Sequence, residues 1–273
     1  MGVPVFTAGS LLAVGLRATV RDAVAPLADK WFVSLTLLVG WIVCPAVAWL
    51  LLAMVPLDRP YAAGLLVLSL APAAPFAPPL MVRAGATSGH TAAFMILATV
   101  ATVAIMPIAA PFLIGGVATP AIVIARPLLL FVLLPLVIGV AVRWMNAEAA
   151  DRAVPAVTAI SNAAGVVLLI AIVPLYGPGV VSAIGSFAIA TQIVFVGLVT
   201  LLAHIAGAGL PASAQTVLTL GMCSRNLGAA LAPLAQIEPD PRAMVMIAVA
   251  MPVTLACSIV AARWLAPQRA GFA

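Results

Sequence analysis

The chain has 273 residues, of which 65% are hydrophobic and 7% are charged, and its mean hydropathy is +1.28. A soluble globular domain cannot bury so large an apolar fraction, so lipid must be the solvent for most of the surface. The net charge of +5 lies in loops between apolar segments. This pattern is typical of a helical membrane protein beside an anionic leaflet, so the charge is no sign of nucleic-acid binding.

Nine apolar segments follow one another and predict an all-α polytopic membrane protein, with one transmembrane domain over 1–273. Their approximate ranges are 3–16, 31–56, 60–82, 91–114, 121–144, 153–176, 181–206, 212–237 and 242–265. The first is shorter than the roughly 20 residues of a spanning helix and lacks the features of a signal peptide. A charged loop is expected after it. Glycines are expected to end the fourth segment (Gly115-Gly116) and the sixth (Gly177-Pro178-Gly179).

The basic residues predict the orientation of these segments. One side holds eight of them, namely Arg17, Arg21, Lys30, Arg83, Arg143, Arg152, Arg263 and Arg269, and the other side holds Arg59, Arg126 and Arg242. The positive-inside rule therefore places the carboxyl terminus in the cytoplasm and the amino terminus outside. The alanine-rich composition, with Arg in excess over Lys, suggests a bacterial inner membrane.

Two segments are predicted to be interrupted helices. The third contains LAPAAPFAPPLM, whose four prolines cannot all lie in one regular helix. The eighth contains LGMCSRNLG at 220–228, with Arg225 near the middle of an apolar stretch. An arginine at membrane depth costs ~2.5–3.5 kcal/mol, so it needs a partner or a water-filled cavity. Two interrupted segments at corresponding positions indicate a transporter binding site.

The two halves of the chain correspond at a nearly constant offset. Segment five separates them, so segment six would cross the membrane in the opposite sense from segment one. The sequence therefore predicts an inverted repeat. The matching pairs are Pro78 and Arg225, 147 apart, Pro107 and Pro252, 145 apart, and residues 7–10 and 158–161, 151 apart.

This pattern of helices and prolines resembles the bile acid:sodium symporter family over nearly the whole chain, starting at the family's second helix. The stretches that support the resemblance most strongly are LAPAAPFAPPLMVRAG, the following helix with MPIAAP, and GMCSRNLGAAL. Pro45 in VGWIVCPAVAW also fits. The resemblance implies two broken helices that cross, a core bundle at about 31–114 and 181–265, and a panel bundle at about 1–30 and 121–176. Movement of the panel against the core would expose one site alternately to each side.

The sequence departs from the family at the positions that the resemblance assigns to sodium ligands. Ala77 and Pro78 stand in the first break, Thr219 and Cys223 stand in the second, and of the ligands on the helix after the first break only Thr99 remains. Sodium favours several oxygens, and the chain offers no carboxylate at membrane depth. Sodium binding is therefore expected to be lost or weakened, with Arg225 supplying the positive charge instead, and no other cofactor is expected.

The expected substrate is a small or amphipathic organic anion, because relatives carry such solutes and the half-helix amino termini add positive potential. For most candidate residues a structural role in capping or hydrogen bonding is the alternative, and for Asn162, which shares a polar stripe with Thr158 and Ser161, that role is favoured. The candidate binding residues are Arg225, Ser224, Asn226, Thr99, Pro75, Pro78 and Asn162.

Two other functions stay open. An arsenite-type efflux permease of the same fold would need a thiol in the first break; 71–80 contains none, although Cys223 lies in the second. A non-transporting sensor or scaffold would suit the loss of ion ligands. An enzyme is not expected, because the chain has no Gly-rich phosphate loop, paired carboxylates, metal-ligand spacing or triad. The three cysteines, Cys44, Cys223 and Cys257, all lie in apolar segments and are expected to be free thiols.

Overall fold

The computed structural model describes residues 2–114, 119–238 and 240–266, and these residues are mostly α-helical. Twelve helices are defined in these ranges, and a short 3₁₀ turn at Gly207–Gly209 separates two of them. The helices are α1 (Gly2–Arg17), α2 (Val20–Leu27), α3 (Lys30–Met54), α4 (Arg59–Ser69), α5 (Ala77–Arg83), α6 (Ser88–Leu113), α7 (Ala121–Met145), α8 (Ala147–Ser182), α9 (Ala188–Ala206), α10 (Ala212–Cys223), α11 (Leu227–Ile237) and α12 (Pro241–Leu265).

Every predicted segment contains a helix, but the ends of several helices differ from the prediction. The sixth and seventh segments were expected at 153–176 and 181–206, whereas α8 begins at Ala147 and α9 begins at Ala188. The charged loop expected after the first segment includes the helix α2. The predicted end at Gly177 was wrong, because α8 continues to Ser182. Prolines are tolerated in such long helices where neighbouring groups satisfy the freed backbone. The end expected at Gly115-Gly116 lies outside the described residues.

Some of these helices have the length and polarity of membrane spans. Among the described residues, five are long and apolar enough to cross a bilayer, namely Lys30–Met54, Ser88–Leu113, Ala121–Met145, Ala188–Gly209 and Pro241–Leu265. Large apolar side chains such as Trp49, Ile108 and Ile170 are exposed on the outside of the molecule. Exposure on this scale is expected where lipid rather than water surrounds the protein.

Proline also shapes the interior of two long helices. A π-helical turn at Val39–Val43 precedes Pro45 in α3, and a second at Leu129–Leu133 precedes Pro135 in α7. The wider turn relieves the clash between the proline ring and the carbonyl group one turn earlier. Gly40 lies in the first of these turns, and a Cβ atom there would lie 3.2 Å from Met222 Cε. The turn therefore brings α3 against the end of α10.

Helix α1 packs along α7 and α8. The backbones of α1 and α7 nearly touch, since a Cβ atom on Gly15 would lie 2.4 Å from Leu136 O. Much of the packing among the other helices involves α9, α10 and α12. Helix α2 packs against α6, which belongs to the predicted core, although the sequence places residues 1–30 in the panel.

Candidate functional site

Both predicted breaks are present, and they meet. Residues 70–76 separate α4 from α5, and residues 224–226 separate α10 from α11. The two breaks run antiparallel and form an isolated bridge between Pro72 and Arg225. Backbone groups that leave a helix in the membrane need other partners, and here each break supplies partners for the other. The bonds run from Ala73 N to Gly221 O at 3.0 Å and from Asn226 N to Ala71 O at 2.8 Å.

Ser224 and Asn226 hold this crossing together. Ser224 Oγ accepts a hydrogen bond from Ala74 N at 3.1 Å and donates one to Gly221 O at 3.2 Å. Asn226 Oδ1 accepts a hydrogen bond from Ala229 N at 3.1 Å and so caps the amino terminus of α11. Both side chains are buried. Their bonds give them a structural role, which the sequence left open as the alternative to ligand binding.

The Arg225 guanidinium fills the space between the two broken helices and is 0% exposed. Nη1 donates to Ser69 O at 3.3 Å, and Nη2 donates to Met222 O at 2.8 Å and to Cys44 Sγ at 3.3 Å. Its Cζ atom lies 5.0 Å from the centroid of the Phe195 ring. Ser69 ends α4, and Met222 lies in the last turn of α10. The cation therefore faces the negative carboxyl-terminal ends of both half-helices.

Two of the positions expected to correspond to sodium ligands, Thr219 and Cys223, have other partners. Thr219 Oγ1 donates to Gln215 O at 2.8 Å within its own helix, and Cys223 Sγ accepts a bond from Ser258 Oγ at 3.6 Å. Thr99 is buried in α6 with 4% exposure. Among the described residues, no three His, Cys, Asp or Glu side chains are grouped as metal ligands. The oxygen donors near the second break are thus few and partly used by the fold.

A cavity of about 380 Å³ lies beside the crossing, between α1 and α8 on one side and the first break with α5 and α6 on the other. Three predicted site residues, Pro75, Pro78 and Asn162, line it; Arg225, Ser224, Asn226 and Thr99 do not. Ala77 is buried at the start of α5. The lining comprises Phe6, Ser10, Ala13, Val14, Arg17, Ala18, Pro75, Phe76, Pro78, Pro79, Val82, Ser88, Thr91, Ala92, Thr158, Ser161 and Asn162.

Hydrogen bonds between α1 and α8 form one wall of this cavity. Arg17 Nη2 donates to Thr158 Oγ1 at 3.0 Å, and the hydroxyl groups of Ser10 and Ser161 lie 2.5 Å apart. Ser161 Oγ also donates to Phe6 O at 2.9 Å. Ser161 thus has the helix-joining role that the polar stripe predicted. Sequence reasoning missed Arg17 as a cavity residue and counted it only as a loop charge.

A second, more apolar cavity of about 280 Å³ lies between α1, α7 and α11 and has Pro4, Thr7, Phe131 and Gly228 in its wall. Here α1 approaches α11 closely, since a Cβ atom on Gly228 would lie 2.0 Å from Thr7 Oγ1. Helix α1 therefore contributes to both cavities and touches the second broken helix beside one of them.

The fold and the site together define a multi-pass helical membrane protein whose two interrupted helices meet beside a cavity, which is the arrangement that transporters use for their solutes. The family model described as the Sodium Bile acid symporter family matches residues 8–183. Because this match covers more than half of the chain, the protein belongs to that family, whose members are membrane transporters. No curated protein matches the chain. The matched range includes the first break and all of the cavity wall except Phe6, and the second break lies beyond it.

Proposed function

We propose that the chain is a secondary transporter that moves a small or amphipathic organic anion across the cell inner membrane by alternating access. The observation that carries this proposal is the cavity of about 380 Å³ between α1 with α8 and the proline-rich first break. Its volume is typical of small-molecule sites. Its wall combines proline and phenylalanine surface with the polar groups of Arg17, Thr158 and Asn162, which suits a solute with an apolar body and one charged group.

The proposed architecture has nine spans in an inverted repeat, with a panel bundle that moves against a core bundle. Two contacts support it. The two breaks, which lie at corresponding positions of the two halves, bind each other antiparallel. Ser10 and Ser161, 151 positions apart, bond to each other, as residues related by a local two-fold axis would. A panel formed by α1, α7 and α8 agrees with the packing of α1 along both of the other helices.

The family name implies sodium coupling, and we infer that this member has lost or weakened its sodium sites. The Thr219 hydroxyl group donates within its own helix, and the Arg225 guanidinium lies at the carboxyl-terminal ends of both half-helices. A covalently attached cation at this place supplies the positive charge that bound sodium would otherwise supply. In this proposal Arg225 stabilises the crossing and does not contact the solute in the conformation described.

The cavity lies near the carboxyl-terminal end of α1 and the start of α6. The positive-inside rule assigns this side to the cytoplasm, because Arg17 and Arg83 lie there. The conformation would then be the one that exposes the site to the cytoplasm, with α1 in contact with α11 near the outer side through Thr7 and Gly228.

The test is uptake of organic anions by proteoliposomes that contain the purified full chain, with external sodium replaced by choline in a matched set. We expect anion flux of equal size in both media. Sodium-dependent flux would contradict the loss of the sodium sites, and so would a sodium-dependent rise in melting temperature, because binding at 100 times Kd stabilises by about 2.7 kcal/mol. Binding without flux would instead favour a sensor. The arsenite alternative gains no support, since no cysteine is among the described residues that line the cavity.

A further inference from the structure

The cavity between α1 and α8 and the first break contains one charged side chain among its described lining residues, that of Arg17. Its guanidinium bonds to the neutral Thr158 hydroxyl group at 3.0 Å. No described carboxylate lies within ion-pair distance of it, whereas Arg143, Arg152 and Arg242 each pair with an acid. Within the part of the chain that the structure describes, the charge of Arg17 therefore has no acidic partner, and most of its five N–H donors are unused.

Two polar groups of α8 lie next to this charge. Thr158 and Asn162 are four positions apart on one helix, which places them on the same face one turn from each other. Both line the cavity. The Thr158 oxygen accepts from Arg17, so its own proton is available for a ligand, and the Asn162 carboxamide has no hydrogen-bond partner within the described residues. Guanidinium, hydroxyl and carboxamide groups together offer several donors to one anionic group.

The opposite wall has a different character. Pro75 and Phe76 of the first break and Pro78 and Pro79 of α5 line it, and proline offers no N–H donor to a ligand. The Thr91 hydroxyl group on this wall donates to the backbone oxygen of Thr87, the N-cap of α6, at 2.9 Å. The anion-binding groups therefore belong to α1 and α8, and the apolar surface belongs chiefly to the first break and the start of α5.

From this arrangement we infer that Arg17, with Thr158 and Asn162, is the binding site for the carboxylate or sulfonate group of an amphipathic organic anion whose apolar body lies against Pro75, Phe76 and Pro78. This inference rests on the proposed transport function and assigns the charge recognition of that function to Arg17 rather than to Arg225. It also places the charged end of the solute on the panel bundle and its apolar end on the core bundle, so one bound molecule contacts both.

The test compares two pairs of ligands of nearly equal shape, phenylacetate with phenylacetamide and cyclohexanecarboxylate with its amide. The two carboxylates are supplied as choline salts. Binding to the purified full chain is measured by calorimetry in detergent without phospholipid, so that a soluble anion is distinguished from a lipid headgroup. The wild type should prefer each carboxylate to its amide. Arg17→Gln should weaken carboxylate binding at least about tenfold and leave amide binding unchanged, and Arg17→Lys should recover part of the preference.

Arg83→Gln is the matched control, because Arg83 is exposed on the same predicted side and does not line the cavity. This variant removes the same charge and should keep the preference for carboxylates. Retention of the preference in Arg17→Gln, or its absence in the wild type, would overturn the inference. Anion flux by the wild type in vesicles tests the transport function separately, so a transporter that recognises its anion elsewhere would show flux together with an unchanged Arg17→Gln variant.

Discussion

Two arginines next to the candidate site differ in what surrounds them. Arg225 is fully buried at the crossing, and its N–H groups bind two backbone carbonyl groups and one thiol. Arg17 lies on a cavity wall and shares a single bond with a neutral hydroxyl group. The fold itself stabilises the first charge through helix dipoles, although its buried Nε–H group has no hydrogen-bond partner among the described residues. The second charge has donors that face a cavity. The depth of an arginine in an apolar segment therefore does not indicate whether it has a structural role or is available to a solute.

The crossing and the cavity also differ in how their parts are joined. At the crossing, backbone atoms of the two breaks bond directly to each other, and the residues around them are buried. At the cavity, α1 and α8 are bonded to each other through side chains and face α5 and α6 across open space. The crossing is thus expected to move as one unit, and changes there should affect stability more than changes at the cavity.

The largest effect is expected from Arg225→Met, which keeps an unbranched side chain but removes the guanidinium. The carbonyl groups of Ser69 and Met222 would lose charge-assisted hydrogen bonds worth about 1.5–3 kcal/mol each. We expect a large fall in melting temperature in detergent, measured by intrinsic fluorescence, and partial recovery with Arg225→Lys. Arg17→Met is the control at the exposed arginine and should change the melting temperature little. Similar melting temperatures for the two Met variants would remove the distinction between the two arginines.

A smaller effect is expected from an added methyl group at the crossing. A Cβ atom on Gly221 would lie 2.0 Å from the Phe94 ring, inside the buried core. Overpacking of this kind typically costs about 1–3 kcal/mol, so Gly221→Ala should lower the melting temperature. Adding Phe94→Leu, which shortens the obstructing side chain, should restore part of the loss. If the losses of stability from the two substitutions simply added in the double variant, the ring would not be the obstacle.

The same change at the interface between α1 and α11 should act differently. A Cβ atom on Gly228 would lie 2.0 Å from Thr7 Oγ1. If α1 belongs to a moving panel, Gly228→Ala can be accommodated by separation of the two helices, so we expect a smaller loss of stability than for Gly221→Ala. Leu231 lies in the wall of the second cavity. The thiol introduced by Leu231→Cys should then react faster with a membrane-impermeant maleimide when Gly228→Ala is also present. Unchanged labelling with a large loss of stability would argue that this contact belongs to the rigid core.

The sequence predicted the crossing well because its causes are local. Four prolines within eight residues of LAPAAPFAPPLM cannot all lie in one regular helix, and a charge such as Arg225 inside an apolar segment requires nearby carbonyl groups or water. The place of Arg17 depends instead on Thr158, which is 141 positions away and is brought near only by the packing of α1 on α8. Likewise α8 continues past Gly177, since tertiary neighbours rather than local preference decide whether a long helix tolerates proline and glycine.

The smallest effect is expected at Ala73, which has a positive φ of 68° within the first break. A non-glycine residue in this left-handed region costs roughly 1–2 kcal/mol, and the bond from Ala73 N to Gly221 O at 3.0 Å helps to hold it there. Glycine would remove this cost but would lose more backbone freedom on folding, roughly 0.5–1 kcal/mol. Ala73→Gly should therefore raise stability slightly, by less than about 1.5 kcal/mol. Ala74→Gly, at the next position with an ordinary negative φ, should lower it. If both variants lowered the melting temperature equally, Ala73 would not be held in a strained conformation. The crossing would then be less rigid, compared with the cavity, than its hydrogen bonds suggest.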